Sequence, residues 1–383
     1  MKKWCKAFLF LLPLLFLVAA VNWYVDSYAY LRITYDEIGS RMTDDLQNAV
    51  GLEESAFNDR TLLLACLNGQ KEAKEVIVTG SSRVFTFDHT MFGTDSFYNA
   101  GLSEATIYDL WAVTGILAYN GRLPETMVIG VDAFLFNTAH NNDRWTELEA
   151  YALFLGKEMG KPELFMSTES GEPGGAKREE AEKLRNDSGG MIPAAARNTG
   201  THYGKWLSLD YFRYNITCLP EGKRFLVSYT DDWETERYTK HYDGSVSYQE
   251  ELRNVDPEEV IAMTQQTMEE QVVYRLTDYR EIDEESMEML AALIDYLKDQ
   301  GVEVILYLPP YSPMLYDYIE SEPDFQIALE VEREMRKFAS GKQIALYGSY
   351  DPAGSGLEMT DLYDVYHVKA EKGPDTFYPV ICP

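Results

Sequence analysis

The stretch Glu75-Val-Ile-Val-Thr-Gly-Ser-Ser-Arg83 decides how this chain folds. Val76, Ile77 and Val78 make a short β-branched run of the kind buried in a parallel sheet, and Thr79-Gly80-Ser81-Ser82 then turns the chain with small residues. A hydroxyl is thereby presented at the carboxyl end of a buried strand. Open α/β sheets carry their sites at that edge, because the loops there face a crevice and the next helix aims its positive end into it. Two chemistries compete for such a turn. A dinucleotide-binding turn needs further glycines so that backbone can approach a pyrophosphate, but Val84, Phe85 and Thr86 stand in their place, and that reading fails on sterics. What is left is a serine on a strand-to-helix turn, which becomes a nucleophile only beside a base.

The base lies near the other end. Asp361-Leu-Tyr-Asp364-Val-Tyr-His367 places a carboxylate three residues before one of the chain's five histidines. At that separation a turn brings Asp364 onto the imidazole Nδ1 and leaves Nε2 to face a serine. Gly80-Ser81-Ser82 taken with Asp364-x-x-His367 resembles the SGNH (GDSL-like) hydrolase superfamily. More closely, it is similar to the membrane-anchored acyltransferase branch, the relatives of the alginate O-acetylation proteins and of DltD. The resemblance implies an α/β fold with a flavodoxin-like parallel sheet flanked by helices. It makes Ser82 the nucleophile, with Ser81 as the alternative, His367 the general base and Asp364 the group that fixes its tautomer. It also implies that the backbone amides of Ser82 and Gly101 hold the oxyanion, Gly101 following the short strand Phe97-Tyr98-Asn99-Ala100. Arg83 is either an electrostatic helper or a surface cation. Asp132, after the strand Met127-Val-Ile-Gly-Val131, stands where the superfamily has an oxyanion-donating Asn; a carboxylate there repels a developing oxyanion unless it is protonated or turned away.

The N-terminus sets the expected compartment. Lys2, Lys3 and Lys6 precede an uncharged run from Ala7 to Val25, which at about 1.5 Å per residue can cross a hydrocarbon layer of roughly 30 Å. Positive flanks stay inside, so the remainder is expected outside the cytoplasmic membrane as a single-pass protein. The alternative is a signal peptide cleaved after Val18-Ala19-Ala20. The resemblance implies a polytopic membrane-bound O-acyltransferase partner that supplies acyl groups, and a glycopolymer acceptor. A net charge of −29 argues against nucleic acid. The four cysteines, Cys5, Cys66, Cys218 and Cys382, form no Cys-x-x-Cys, so structural zinc is not expected and no cofactor is assigned; a Cys66–Cys218 bridge stays open, with no sequence signal for it.

The expected organisation is an anchor over residues 1–26, a neck and helix over 27–74, and an α/β domain over 75–383 interrupted by an α+β insertion at about 135–280. Within the neck, Arg60 to Asn68 reads as a helix. Ser103 is the expected cap of a helix over Ala105–Leu117. In the insertion, 167–204 reads as a Gly/Ser/Pro-rich loop. Asp243-Gly244 inside Arg237–Tyr248 is a hairpin signal whose tyrosines either stack on sugars or pack on one another. His241 has no metal-ligand spacing and no assigned role. A helix over Asp283–Asp299, a strand over Val302–Leu308 ended by Pro309-Pro310, a helix over Phe325–Phe338 and a strand over Ile344–Tyr347 complete the sheet. The Pro-rich loop either shapes a pocket or merely ends the strand. Three functions stay open: an O-acyltransferase, an esterase of the same chemistry, and a catalytically silent envelope assembly protein.

Overall fold

In the computed structural model, residues 2–25, 35–51, 58–140, 142–165, 206–219 and 227–380 are described. Among them, nine strands form two sheets: β1 (Asn48–Val50), β2 (Val76–Thr79), β3 (Phe97–Asn99), β4 (Thr126–Gly130), β5 (Ser228–Thr230), β6 (Thr239–Lys240), β7 (Val246–Ser247), β8 (Glu303–Leu308) and β9 (Ala345–Gly348). The larger sheet runs β3-β2-β4-β8-β9, with every adjacent pair parallel. Counted within this sheet alone, the order is 2-1-3-4-5, and the switch point where the winding reverses lies between β2 and β4. The carboxyl ends of those two strands carry Ser82 and Asp132.

Side-chain alternation explains the unequal covering of the two faces. Ile77, Met127, Ile129, Val304, Leu306 and Leu346 point into the large core, against the helices Ile107–Tyr119, Glu284–Asp299 and Ile327–Lys342. Their neighbours Val78, Phe97, Val128 and Tyr307 face the other way, where Val84, Phe87, Phe92 and Phe377 make a thin aromatic lid. The Thr79–Ser82 turn and the residues after it are part of that lid. Two glycines let the switch point close: a Cβ on Gly80, whose φ is +149°, would lie 3.0 Å from the Gly130 Cα, and one on Gly130 would lie 2.8 Å from a Val84 methyl.

Several expectations need correction. The neck holds a helix over Tyr35–Thr43, packed on the helix Asp59–Gly69, and β1 at the interior of the second sheet; its periodicity is short because tertiary packing fixes these elements. Ser103 does not cap the following helix. Its amide and hydroxyl donate to Asp59, and Thr106 takes the cap position, its N–H donating to Asp109 at 2.8 Å. Asp109 also accepts twice from the buried Arg60 at 2.9 Å, tying the pre-strand helix to the first crossover helix. Cys66 is a free, buried thiol, which rules out the Cys66–Cys218 bridge. Among the described residues no helix is long and apolar enough to cross a membrane. A helix does run over Lys2–Val25, and its buried Asn22 donates to the carbonyls of Trp206 and Ser208 at 3.1 Å. The anchor is thus unsupported there, and it falls partly on residues 1–11, whose side chains lie outside the described residues; the loop expected over 167–204 lies outside them too.

The hairpin forms as its turn signal predicts. β6 and β7 pair antiparallel around Gly244, whose φ is +81°, and join β1 and β5 in the order β5-β1-β6-β7. Its tyrosines pack on one another: Tyr238 and Tyr248 are buried, with ring centroids 6.1 Å apart and an edge-to-face tilt. His241 is buried beneath Trp233, stacked at 4.2 Å, and its Nε2 lies 2.7 Å from Ser247 Oγ. Burial pushes its pKa down to about 4. An unfolded imidazole titrates near 6.5, so the stability carried by the neutral ring is fully present above that pH and is lost as pH falls towards about 4, roughly 3 kcal/mol in all. The half-buried His89, hydrogen-bonded to Asp243 at 3.0 Å, has its pKa raised and works in the opposite sense, favouring the fold below about 6.5. Thermal unfolding at pH 7.5 and 4.5 separates the two. His241→Gln is expected to lose less stability on acidification than the parent, and an unchanged acid loss would refute the assignment.

Candidate active site

β2 delivers Ser82 to the switch point, and the two serines divide the work. Ser81 is buried, and its hydroxyl accepts the Arg83 N–H at 3.2 Å, capping the single 3-10 turn Ser82–Val84. That hydroxyl is committed to the turn. Ser82 is half-buried, and its Oγ lies 2.8 Å from His367 Nε2. The two residues are 285 positions apart in sequence. His367 Nδ1 lies 2.8 and 3.0 Å from the two oxygens of Asp364. The hydroxyl, the imidazole and the carboxylate therefore line up at one rim of the sheet.

A tight loop holds Asp364 and His367 together. Leu362 and Val368 form an antiparallel bridge, and the Tyr363 N–H donates to the His367 carbonyl at 2.8 Å, so the three residues between Tyr363 and His367 must turn sharply. Asp364 Oδ1 accepts the N–H groups of Tyr366 (2.7 Å) and His367 (2.9 Å), which orients the carboxylate before the ring is considered. Burial pushes the Asp364 carboxyl up, but the His367 ring and those two amides outweigh it and hold its pKa below the ordinary value. It is the ionised acceptor that keeps a proton on Nδ1. The buried Tyr248, from the end of the hairpin, stands against the His367 ring with centroids 5.9 Å apart.

Arg83 is not a surface cation. Its buried guanidinium donates to Asp132 Oδ1 at 3.1 Å and to the carbonyls of Pro309 (2.9 Å) and Pro310, and it lies 4.6 Å above the Tyr311 ring. Burial opposes the charge, and the neighbouring Asp132 more than restores it, so its pKa is raised. Asp132 is accordingly paired with the Arg83 guanidinium. The Pro-rich loop does more than end β8: its carbonyls are the third anchor of this arginine, which fastens the carboxyl ends of β2, β4 and β8 together.

Gly101 departs from its expected part. Its N–H donates to Asn99 Oδ1 at 2.9 Å, so the amide expected to face an oxyanion is engaged within its own loop. Asn99 itself carried no role in the sequence reading. Fully buried at the end of β3, it donates from Nδ2 to the Val84 and Phe87 carbonyls and accepts from Gly101, binding the second loop to the turn that carries Ser82. The available signal was an amide closing an apolar strand, since a buried amide must find partners. Among the described residues no group of acidic, histidine or cysteine side chains could hold a metal ion. In comparisons with known proteins, no family model, no curated protein and no solved structure matches this chain.

Proposed function

We propose that this protein is an SGNH-like acyl-transferring enzyme with Ser82 as nucleophile, acting on a hydroxyl of a cell-envelope or exported polysaccharide outside the cytoplasmic membrane. The single observation that carries this reading is the Ser82–His367–Asp364 relay, with hydrogen-bond distances of 2.8 Å on both sides of the imidazole. In the first half-reaction Ser82 Oγ attacks the carbonyl carbon of an acyl donor while His367 Nε2 takes its proton; the imidazolium is stabilised by Asp364 and returns the proton to the departing group. In the second, an acceptor hydroxyl attacks the acyl-serine, passes its proton to Nε2, and Ser82 leaves protonated. The Ser82 amide, at the start of its turn, is the oxyanion donor in this scheme, because the Gly101 amide is occupied. The acyl group is most simply acetyl, the donor a polytopic membrane-bound O-acyltransferase, and attachment is by the N-terminal helix. These three assignments rest on the motif resemblance and on the Lys2, Lys3 and Lys6 flank.

Water as acceptor would make the same site an esterase, a reading favoured by the partial exposure of the His367 and Asp364 side chains, 20 and 30%. Purified protein incubated with an aryl acetate, with and without a neutral oligosaccharide, distinguishes the two. Transfer predicts Ser82-dependent appearance of acetyl on the sugar. Rapid hydrolysis indifferent to sugar would assign the esterase, and no Ser82-dependent turnover at all would leave a binding or assembly protein.

A further inference from the structure

The inserted hairpin touches both segments that carry the relay and the Asn99 loop beside them. The Asp243 carbonyl accepts the Asn99 N–H at 2.7 Å, and the Val246 N–H donates to the Phe85 carbonyl at 2.8 Å, three residues beyond Ser82. The Asp243 carboxylate accepts the His89 amide at 3.1 Å and its own turn's Ser245 amide at 2.9 Å. At the hairpin's far end Tyr248 stands against His367 and, at 5.0 Å between centroids, Tyr363. Contact is closest at Gly244, where an added Cβ would lie 2.2 Å from the Asn99 carbonyl oxygen. Asn99 then relays this seat to the nucleophile turn through the Val84 and Phe87 carbonyls.

Resting on the catalytic reading above, we propose that the Asp243-Gly244 turn and Asn99 are positioning residues for Ser82. The reactivity of the nucleophile is thus set by the inserted antiparallel sheet as well as by the parallel sheet that carries it. The physical requirement is register: Oγ must stay within hydrogen-bond reach of Nε2, and displacements of about 1 Å at a reacting group can cost 10²-fold in rate. None of these residues reaches the reacting atoms. Their effect is expected in kcat, with KM nearly unchanged.

The test compares Gly244→Ala with Gly121→Ala, a glycine of similar left-handed φ (+63°) with nothing within 4 Å of an added Cβ. Both variants bear the same backbone penalty, and only Gly244→Ala must pull the turn off Asn99. Each is assayed for aryl acetate hydrolysis and for the labelling rate with a fluorophosphonate, in which Ser82 Oγ bonds to phosphorus, fluoride departs and His367 takes the hydroxyl proton. Gly244→Ala is expected to lower kcat and the labelling rate about 10 to 100-fold with KM within twofold, and Gly121→Ala to leave both near parental values. If Gly244→Ala does not fold, the isosteric Asp243→Asn takes its place, with a several-fold loss of kcat and labelling expected from weakening the His89 contact. Parental protein that fails to label would defeat the catalytic reading itself. Parental labelling matched by a folded Gly244→Ala, or by Asp243→Asn where that stands in, would overturn the positioning role alone.

Discussion

Ser82→Ala is expected to lower kcat/KM towards an aryl acetate by about 10⁴-fold or more, leaving the fold intact, because in the proposed chemistry the substitution removes the atom that takes the acyl group and nothing that packs the core. Ser81 cannot replace it: its hydroxyl is buried and accepts the Arg83 amide. Combining Ser82→Ala with His367→Ala should cost little beyond the single change, since a base without its nucleophile has no proton to take. Asp364→Asn is the sharper probe. The Asn oxygen would keep the Tyr366 and His367 amides, which places the new NH₂ against His367 Nδ1, 2.8 Å from the present oxygen. Nδ1 must then accept, the proton moves to Nε2, and the ring offers Ser82 a donor where it needs an acceptor. A loss of about 10⁴-fold is the scale expected for such a tautomer error. Near-parental turnover in Ser82→Ala would remove the serine from the chemistry, and near-parental turnover in Asp364→Asn would show that the carboxylate does not set the tautomer.

The parts of this site that could be read from sequence are those in which one local signal implies one geometry. An apolar triplet followed by Thr79-Gly80-Ser81-Ser82 can end only at a sheet edge, and an Asp three residues before a His can reach its Nδ1 through a turn alone. Both predictions depend on backbone reach over a few residues. What escaped detection depends on which side chain meets which group in the folded chain, at separations from two to 227 positions. Arg83 is read equally well as a surface cation until Asp132 and the Pro309 and Pro310 carbonyls are seen around it. Gly101 matches a motif position, yet its amide direction is decided by the Asn99 side chain, which no spacing rule describes. The neck illustrates the same limit: three residues, Asn48–Val50, become a strand because β5 and β6 flank them on either side, not because their own pattern demands it. Hairpin turn chemistry, by contrast, survived intact, since Asp243-Gly244 favours its left-handed turn whatever surrounds it.

Arg83→Met is expected to cost about 3 to 5 kcal/mol of stability, a large part of the roughly 5 to 15 that holds a domain folded. The reason is what it leaves behind. Asp132, with 3% of its side chain exposed, would keep a charge with no cation beside it, and the Pro309 and Pro310 carbonyls would lose the guanidinium donor. Lysine is a poor substitute, because one ammonium cannot reproduce a planar fork that serves Asp132, two carbonyls and the Tyr311 face at once. Adding Asp132→Asn to Arg83→Met removes the stranded charge, so the double variant should unfold at a higher temperature than Arg83→Met alone, a coupling that independent sites do not show. The strain should also reach the chemistry. Arg83 follows Ser82 directly and bonds to both the β4 and β8 ends, so loosening it lets the Ser82 turn move against a sheet edge that otherwise holds it. Unfolding curves for the parent, both single variants and the double variant, with turnover measured on each, decide the matter. A melting temperature for Arg83→Met within a degree of the parent would mean that the switch point is closed by the Gly80–Gly130 approach and aromatic packing alone, and that the buried ion pair is dispensable to it.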